Sequence, residues 1–322
     1  MLGPYQLNAD GNVVKTKIEP NDTILYIVVG RYCRHDYIDS HYYKQELKKY
    51  LQHEPTTKAY FICPEMDTTT HSELAYFKVV LNVSPGIKKY SIFIQTYEQL
   101  IQQLPTAASI RIYGHSYGGY FASRLFRELV KYYDRRVDSE EMKPKDARSL
   151  IKQTLQKLTV ITFGGARFHN YMHQIKHLTW YRPNIRHFVY TLDFIQMLHS
   201  KIYKRDDVVV LIPSLLDIRT PIEIFKIRLI FHNYEPFIQY IYRSGRKDLL
   251  NPHKPLSKML KVHTGDTVNA EQYDPLDIYQ TVTPYDVISI STIGKNTKLP
   301  SLPKEPKRGV SITQQSPLPT EL

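Results

Sequence analysis

Cysteine is scarce in this sequence, which has only Cys33 and Cys63 among its 322 residues. The two cysteines lie near the ends of two candidate strands, residues 24–29 and 59–63, so a disulfide between them is geometrically conceivable. A chain of this length with only two cysteines is nevertheless typical of free thiols in a reducing compartment. We therefore expect no disulfide framework.

Long apolar runs are also missing. No stretch approaches the roughly 18 to 20 uninterrupted apolar residues that a membrane-spanning helix needs. The first residues, MLGPYQ, lack the basic and apolar regions of a signal peptide. The sequence therefore predicts a soluble, intracellular protein, and its Ile-, Lys- and Tyr-rich composition suits an AT-rich genome such as that of a virus.

Metal-ligand and cofactor motifs are absent as well. The sequence contains no H-E-x-x-H or C-x-x-C cluster, no Walker motif and no dinucleotide-binding glycine motif. We expect neither a metal nor an organic cofactor. The formal net charge of +12 favours anionic partners and is compatible with peripheral contact with an anionic membrane surface. Because the basic residues are scattered rather than clustered, we expect no nucleic-acid binding.

What the sequence does contain is an alternation of short apolar runs with longer amphipathic segments. This pattern is typical of an α/β protein with a mostly parallel central sheet and helices on both faces. Helices are predicted at residues 90–103 and 117–133, and residues 134–148 are predicted to be a charged surface connection. The candidate strands are residues 24–29, 59–63, 109–113, 158–163, 187–191 and 208–212.

The composition also changes along the chain. From about residue 292 onward it turns to Lys, Pro, Ser, Thr and Gln, which is typical of a disordered tail. We therefore expect an N-terminal extension over residues 1–20, one α/β domain over residues 21–292 and a disordered tail over residues 293–322.

The strongest functional pattern is G-x-S-x-G, formed by Gly114, Ser116 and Gly118. An apolar strand runs directly into it and an amphipathic helix runs directly out of it, which is the context that a nucleophile elbow requires. The two glycines are needed because a side chain at either position would collide with the neighbouring strand and helix. We predict that Ser116 is a nucleophile. The backbone N–H of Tyr117, which opens the helix, would bind a developing oxyanion.

The segment 114–119, GHSYGG, resembles the G-H-S-L-G-G motif of the class 3 (fungal-type triacylglycerol) lipases within the α/β-hydrolases. Residues 162–167, TFGGAR, are similar to the T-F-G-x-P-R turn of that family, with Ala166 in place of the proline. Residues 187–195, HFVYTLDFI, resemble the family's strand that ends in the catalytic acid, although FIQM at 194–197 departs from its D-x-V-P sequence. The resemblance implies an α/β-hydrolase fold and a lipid ester substrate, such as an acylglycerol or a phospholipid.

A serine nucleophile needs a histidine base and a carboxylate that orients the histidine. In α/β-hydrolases the chain order is serine, acid, histidine. Asp193 follows an apolar strand and is expected at the same sheet edge as Ser116. The rival carboxylates Asp206 and Asp207 precede residues 208–212 and would fall at the opposite edge.

The base is chosen among three histidines. His232 follows an apolar run and opens an H-x-x-x-Y segment like that which carries the catalytic histidine in many lipase relatives. His263 and His253 lie in polar, loop-like sequence and remain alternatives. His115, inside the elbow, is expected to pack beside the turn and not to act as the base.

The second oxyanion donor is expected after the strand at residues 24–29. Arg31 or Tyr32 would supply that backbone N–H.

The sequence as a whole predicts a serine esterase that cleaves carboxylic esters through Ser116, Asp193 and His232. The alternative is a catalytically inactive protein of the same fold that acts as a binding or structural component.

Overall fold

The structure is a computed structural model. It describes residues 1–30, 42–64, 91–139, 142–165, 176–178, 180–181, 184–190, 193, 208–212, 215–216, 260–263 and 267–268. All of these residues belong to the first of two compact units, Met1–Thr281. The predicted boundary of a tail near residue 292 lies outside the described residues.

Nine of the described strands form one sheet. Its strands, in chain order, are β1 (Leu2–Leu7), β2 (Val13–Lys15), β3 (Thr23–Val28), β4 (Lys58–Ile62), β5 (Ser109–His115), β6 (Leu158–Phe163), β7 (Ile185–Tyr190), β8 (Val208–Ile212) and β10 (Leu260–His263). Across the sheet the order is β10-β8-β7-β6-β5-β3-β4-β1-β2. Two short strands, β9 (Leu215–Leu216) and β11 (Thr267–Val268), pair separately.

The sheet is parallel from β10 to β4, and β1 runs antiparallel to both β4 and β2. In the centre, β5 lies between β3 and β6, with Gly114 in register with Val28 on one side and Thr162 on the other. Because parallel strands end at a common edge, the residues that follow β5, β6 and β7 come together there. The predicted site residues Ser116 and Asp193 follow β5 and β7, respectively, and therefore belong to this edge of the sheet.

The first fifteen residues differ from the prediction. The sequence pattern placed an extension over residues 1–20, whereas Leu2–Leu7 and Val13–Lys15 continue the sheet beyond β4. Neither strand has the continuous apolar run by which the central strands were recognised. Both are only partly buried, as is common for strands at the edge of a sheet.

Four α-helices are described. They are α1 (Tyr42–Leu51), α2 (Ser91–Gln103), α3 (Tyr117–Asp138) and α4 (Pro144–Gln153). The prediction of a surface connection over residues 134–148 is therefore wrong, because α3 continues to Asp138 and Pro144 begins a further helix. Pro144 lies in the first turn of α4, where its missing N–H removes no helical hydrogen bond.

Two apolar cores lie on opposite faces of the sheet, and β3 contributes to both. Ile24, Tyr26 and Val28 pack on the face that carries α2, α3 and α4. Leu25 and Ile27 pack on the face that carries α1. This alternation with a period of two explains why the central strands read as uninterrupted apolar runs, since both of their faces are covered.

Candidate active site

A single residue, Ser116, joins β5 to α3. Its backbone has φ 52° and ψ −119°, a conformation that is rare for a residue with a side chain. The Ser116 N–H donates to the Phe163 carbonyl oxygen at 3.1 Å, and the Ser116 carbonyl oxygen accepts from the Gly119 N–H at 3.0 Å. Hydrogen bonds on both sides therefore hold the strained turn.

The position of Ser116 is also that of a helix N-cap, where a serine hydroxyl usually accepts a hydrogen bond from the first turn. Here the hydroxyl makes no capping hydrogen bond to α3. The side chain is 5% exposed. The residue thus occupies a capping position without the capping conformation, and the elbow geometry accounts for it.

The two glycines of the motif allow backbone to approach backbone. A Cβ on Gly114 would lie 2.5 Å from the Gly118 carbonyl oxygen, and a Cβ on Gly118 would lie 2.6 Å from the Val28 carbonyl carbon. Real Cβ atoms do not approach backbone so closely, so the first turn of α3 packs on the end of β3 with no side chain between them.

Two further glycines complete this close packing. A Cβ on Gly119 would lie 2.7 Å from the Gly165 Cα, and a Cβ on Gly30 would lie 3.0 Å from the Ser116 Cβ. Gly30, which follows β3, therefore brings that strand end directly against the serine. A glycine directly after an apolar strand was the available sequence signal for this contact.

The predicted oxyanion donors lie partly within the described residues. Tyr117 is the first residue of α3, so its N–H belongs to the positive end of the helix, directly beside Ser116. The tyrosine side chain is buried, and its ring packs 5.8 Å from that of Tyr120. Arg31 and Tyr32 lie outside the described residues.

Asp193 lies three residues beyond the end of β7. Its side chain is fully buried, and its N–H donates to the Tyr190 carbonyl oxygen at 3.2 Å. One strand, β6, separates β7 from β5. Asp193 therefore follows the carboxyl end of a parallel strand at the same edge as Ser116. The rivals Asp206 and Asp207 lie outside the described residues.

Of the three candidate bases, only His263 is described. It is the last residue of β10, in register with Ile212 of β8. Three strands separate β10 from β5, which at about 4.8 Å per spacing places His263 roughly 19 Å away along the sheet. No histidine side chain spans that distance, so the topology disfavours His263. His232 and His253 lie outside the described residues.

Other histidines also bear on the site. His115 is the last residue of β5 and is partly exposed; a Cβ on Gly30 would lie 3.5 Å from its Nδ1. His187, in β7, is fully buried, and its Nδ1 lies 2.7 Å from Thr162 Oγ1 in β6. His187 is not among the site residues predicted from the sequence. It lies beside Arg186 in β7, and a polar side chain among the buried residues of a strand was its only signal.

The described residues contain no cluster of three or more His, Cys, Asp or Glu side chains that could hold a metal ion. Within the same ranges, no helix combines the length and the hydrophobicity needed to cross a bilayer. Cys63 is buried at the end of β4, and Cys33 lies outside the described residues.

A mostly parallel sheet whose central strand turns through a strained serine into a buried helix defines the α/β-hydrolase fold. The chain has this fold, which confirms the fold class predicted from the sequence.

Solved structures with a remote likeness include Est1E from Butyrivibrio proteoclasticus, at 11% identity and a TM-score of 0.28 over 90% of this chain and all of that one. Another is FphF, a fluorophosphonate-binding serine hydrolase of Staphylococcus aureus in a substrate-bound structure. It has 9% identity and a TM-score of 0.23 over 84% of each chain.

Likenesses at this level carry no argument about function. No family model matches the chain, and no curated protein matches it. Membership of the class 3 lipases therefore stays a prediction from the motifs.

Proposed function

We propose that the protein is a serine hydrolase that cleaves carboxylic esters, with Ser116 as nucleophile, Asp193 as acid and His232 as base. The observation that carries this proposal is the backbone of Ser116, held at φ 52° by hydrogen bonds on both sides. Strain of this kind costs of the order of 1–3 kcal/mol and is concentrated at functional sites.

The proposed chemistry needs two half-reactions. Ser116 Oγ attacks the carbonyl carbon of the ester as His232 takes the hydroxyl proton, and the carbonyl oxygen becomes an oxyanion. The N–H of Tyr117 and that of Arg31 or Tyr32 bind the oxyanion. The alcohol then leaves with the proton from His232, so that the acyl group is attached to Ser116 Oγ.

Water completes the cycle. His232 removes a proton from a water molecule that attacks the acyl carbonyl carbon, and the carboxylic acid leaves as Ser116 Oγ regains its proton. The carboxylate of Asp193 fixes the tautomer of His232 and stabilises its charged form in both steps. No metal or organic cofactor takes part in this scheme.

The proposed substrates are lipid esters, namely acylglycerols or phospholipids. The motif resemblance to the class 3 lipases supports a lipid, and the net charge of +12 is compatible with an anionic lipid surface.

The second candidate function is that of a binding or structural component without turnover. Two observations favour it. Residues 194–197, FIQM, depart from the D-x-V-P sequence of the lipase family, and the Ser116 side chain is only 5% exposed. If no ester can reach Ser116, the protein would retain the elbow geometry without catalysing ester hydrolysis.

Labelling with a fluorophosphonate probe separates the two functions, because the probe bonds only to an activated serine. We expect the wild type to be labelled and Ser116→Ala to be unlabelled. Ser123→Ala is the matched control, since Ser123 is a buried serine within α3 and its loss should leave labelling unchanged. If the wild type is labelled no better than Ser116→Ala, the proposal that the protein is an enzyme is wrong.

Single replacements then identify the base. We expect His232→Ala to abolish labelling while His253→Ala and His263→Ala retain it. Loss of labelling in His263→Ala alone would overturn both the assignment of the base and the strand-spacing argument. Turnover of short-chain nitrophenyl esters, emulsified acylglycerols and phospholipid vesicles by the wild type would then rank the substrate classes.

A further inference from the structure

A buried hydrogen bond joins the strand beside the elbow to the strand that precedes Asp193. Thr162 of β6 and His187 of β7 are in register, both are fully buried, and Thr162 Oγ1 lies 2.7 Å from His187 Nδ1. On its other side, His187 is in register with Val208 of β8. The pair thus sits inside the sheet, a short distance from its carboxyl edge.

On the β6 side the pair contacts the turn of Ser116. A Cβ on Gly119 would lie 3.3 Å from Thr162 Cβ, so the first turn of α3 rests directly on the threonine. The next residue, Phe163, supplies the carbonyl oxygen that accepts the Ser116 N–H at 3.1 Å. A shift of Thr162 would therefore move both the helix start and the serine backbone.

On the β7 side the pair leads to Asp193. His187 lies three residues before Tyr190, whose carbonyl oxygen accepts the Asp193 N–H at 3.2 Å. The neighbours of His187 along β7 on the same face are Ile185 and Val189, both apolar and buried. An aliphatic pair would fill the same space without a polar group to satisfy, whereas a hydrogen bond fixes distance and direction.

We propose that Thr162 and His187 are positioning residues whose buried hydrogen bond fixes the distance between the Ser116 elbow and Asp193. The inference rests on the proposed function, in which Ser116 and Asp193 act together. Neither Thr162 nor His187 touches the substrate. They act by holding the two strand ends at one separation, and catalysis is sensitive to displacements of about 1 Å.

Thr162→Val tests the proposal, since valine keeps the shape of threonine and removes its hydroxyl. We expect the rate constant of fluorophosphonate labelling to fall about tenfold, with kcat for a soluble ester falling likewise and KM changing less than about twofold. Thr162→Ser, which restores the hydroxyl, should recover most of the lost rate. Thr159→Val is the control, because Thr159 is a buried threonine on the opposite face of β6.

Hydrogen exchange of the backbone amides provides a readout that does not require activity. Thr162→Val should speed the exchange of the Ser116 and Asp193 amides and leave those of β3 and β4 unchanged. If the wild type fails to label, the proposed function falls and the exchange data alone decide the inference. Equal labelling and equal exchange in Thr162→Val and Thr159→Val would overturn it.

A second substitution covers the case in which Thr162→Val does not fold. His187→Asn places a side-chain amide near the position of the imidazole Nδ1, whereas His187→Leu has no polar atom there. We expect His187→Asn to stay closer to the wild type in labelling and in exchange at Ser116 and Asp193. Indistinguishable behaviour of these two variants would contradict a positioning role.

Discussion

The two ends of helix α3 are attached to the rest of the molecule in opposite ways. At its start, Gly118 and Gly119 bring the helix backbone against the backbones of β3 and Gly165. At its end, charged side chains make the attachment: the Asp134 carboxylate accepts the N–H groups of Lys176, His177 and Leu178 at 3.0, 2.8 and 3.0 Å. The first attachment depends on missing side chains and the second on one buried carboxylate.

This difference follows from what each end does. The start of α3 must place the Ser116 backbone and the helix N-terminus within a narrow space, and backbone contact through glycine is the closest packing available. The end of α3 anchors a connection between β6 and β7, for which one carboxylate with several donors is sufficient. We therefore expect substitutions at the start of α3 to destabilise the protein by steric collision. Substitutions at its end should destabilise the protein by loss of hydrogen bonds.

Gly118→Ala should have the largest effect, because the new Cβ would overlap the Val28 carbonyl group and no flexible side chain could give way. We expect a loss of at least about 3 kcal/mol in the free energy of unfolding, measured in urea, or no folded protein. Gly11→Ala is the control, since Gly11 has φ 73° and open space around it. Its cost should stay near 1 kcal/mol, the penalty of the backbone conformation alone. Equal losses in the two variants would contradict the collision.

Asp134→Ala should have the next largest effect. It leaves three N–H groups without their acceptor, and the side chain is only 5% exposed. We expect a loss of about 2–3 kcal/mol in the free energy of unfolding. Asp138→Ala, one turn further along α3 and exposed, should cost far less. If both substitutions cost the same, the role of Asp134 as an anchor is wrong.

The same contrast explains what could be predicted from the sequence. The central strands and the elbow were predicted because their constraints are local: Gly114, Ser116 and Gly118 lie within one five-residue segment, and an apolar run marks each buried strand. The Asp134 anchor was missed, and residues 134–148 were misread as a surface connection. The residues that bind Asp134 lie more than forty positions away, so no local pattern points to them.

The Thr162–His187 pair was missed for a related reason. Both residues lie inside strands that were predicted correctly, but pairing them requires the strand register, which a single sequence does not supply. The edge strands β1 and β2 were missed because only Tyr5 of their residues is buried. The assignments of Ser116, Asp193 and His232 as catalytic residues stay predictions.

Returning to the start of α3, replacement of Ser116 measures the strain of the elbow. Ser116→Gly and Ser116→Ala should both abolish labelling, yet they should differ in stability. At φ 52° glycine is unstrained and alanine is not, so Ser116→Gly should be more stable by about 1 kcal/mol. Urea unfolding of the two variants measures this difference. An alanine variant as stable as the glycine variant would show that the turn stores no strain.

The smallest effect is expected at the end of α3, where Asp138 pairs with His177 at 3.0 Å and Lys176 at 3.2 Å. Hydrogen bonds from His177 and Lys176 hold the pKa of the Asp138 carboxyl below its ordinary value of 3.8. A lowered pKa means that the stabilisation is complete above that ordinary value and is lost as the pH falls through the lowered pKa. Asp138→Asn should thus unfold at a slightly lower urea concentration than the wild type at pH 7. This difference in urea concentration should disappear as the pH falls below 3.8. Because this carboxylate is exposed to solvent, the gap should also shrink in high salt, whereas the larger loss in Asp134→Ala should persist.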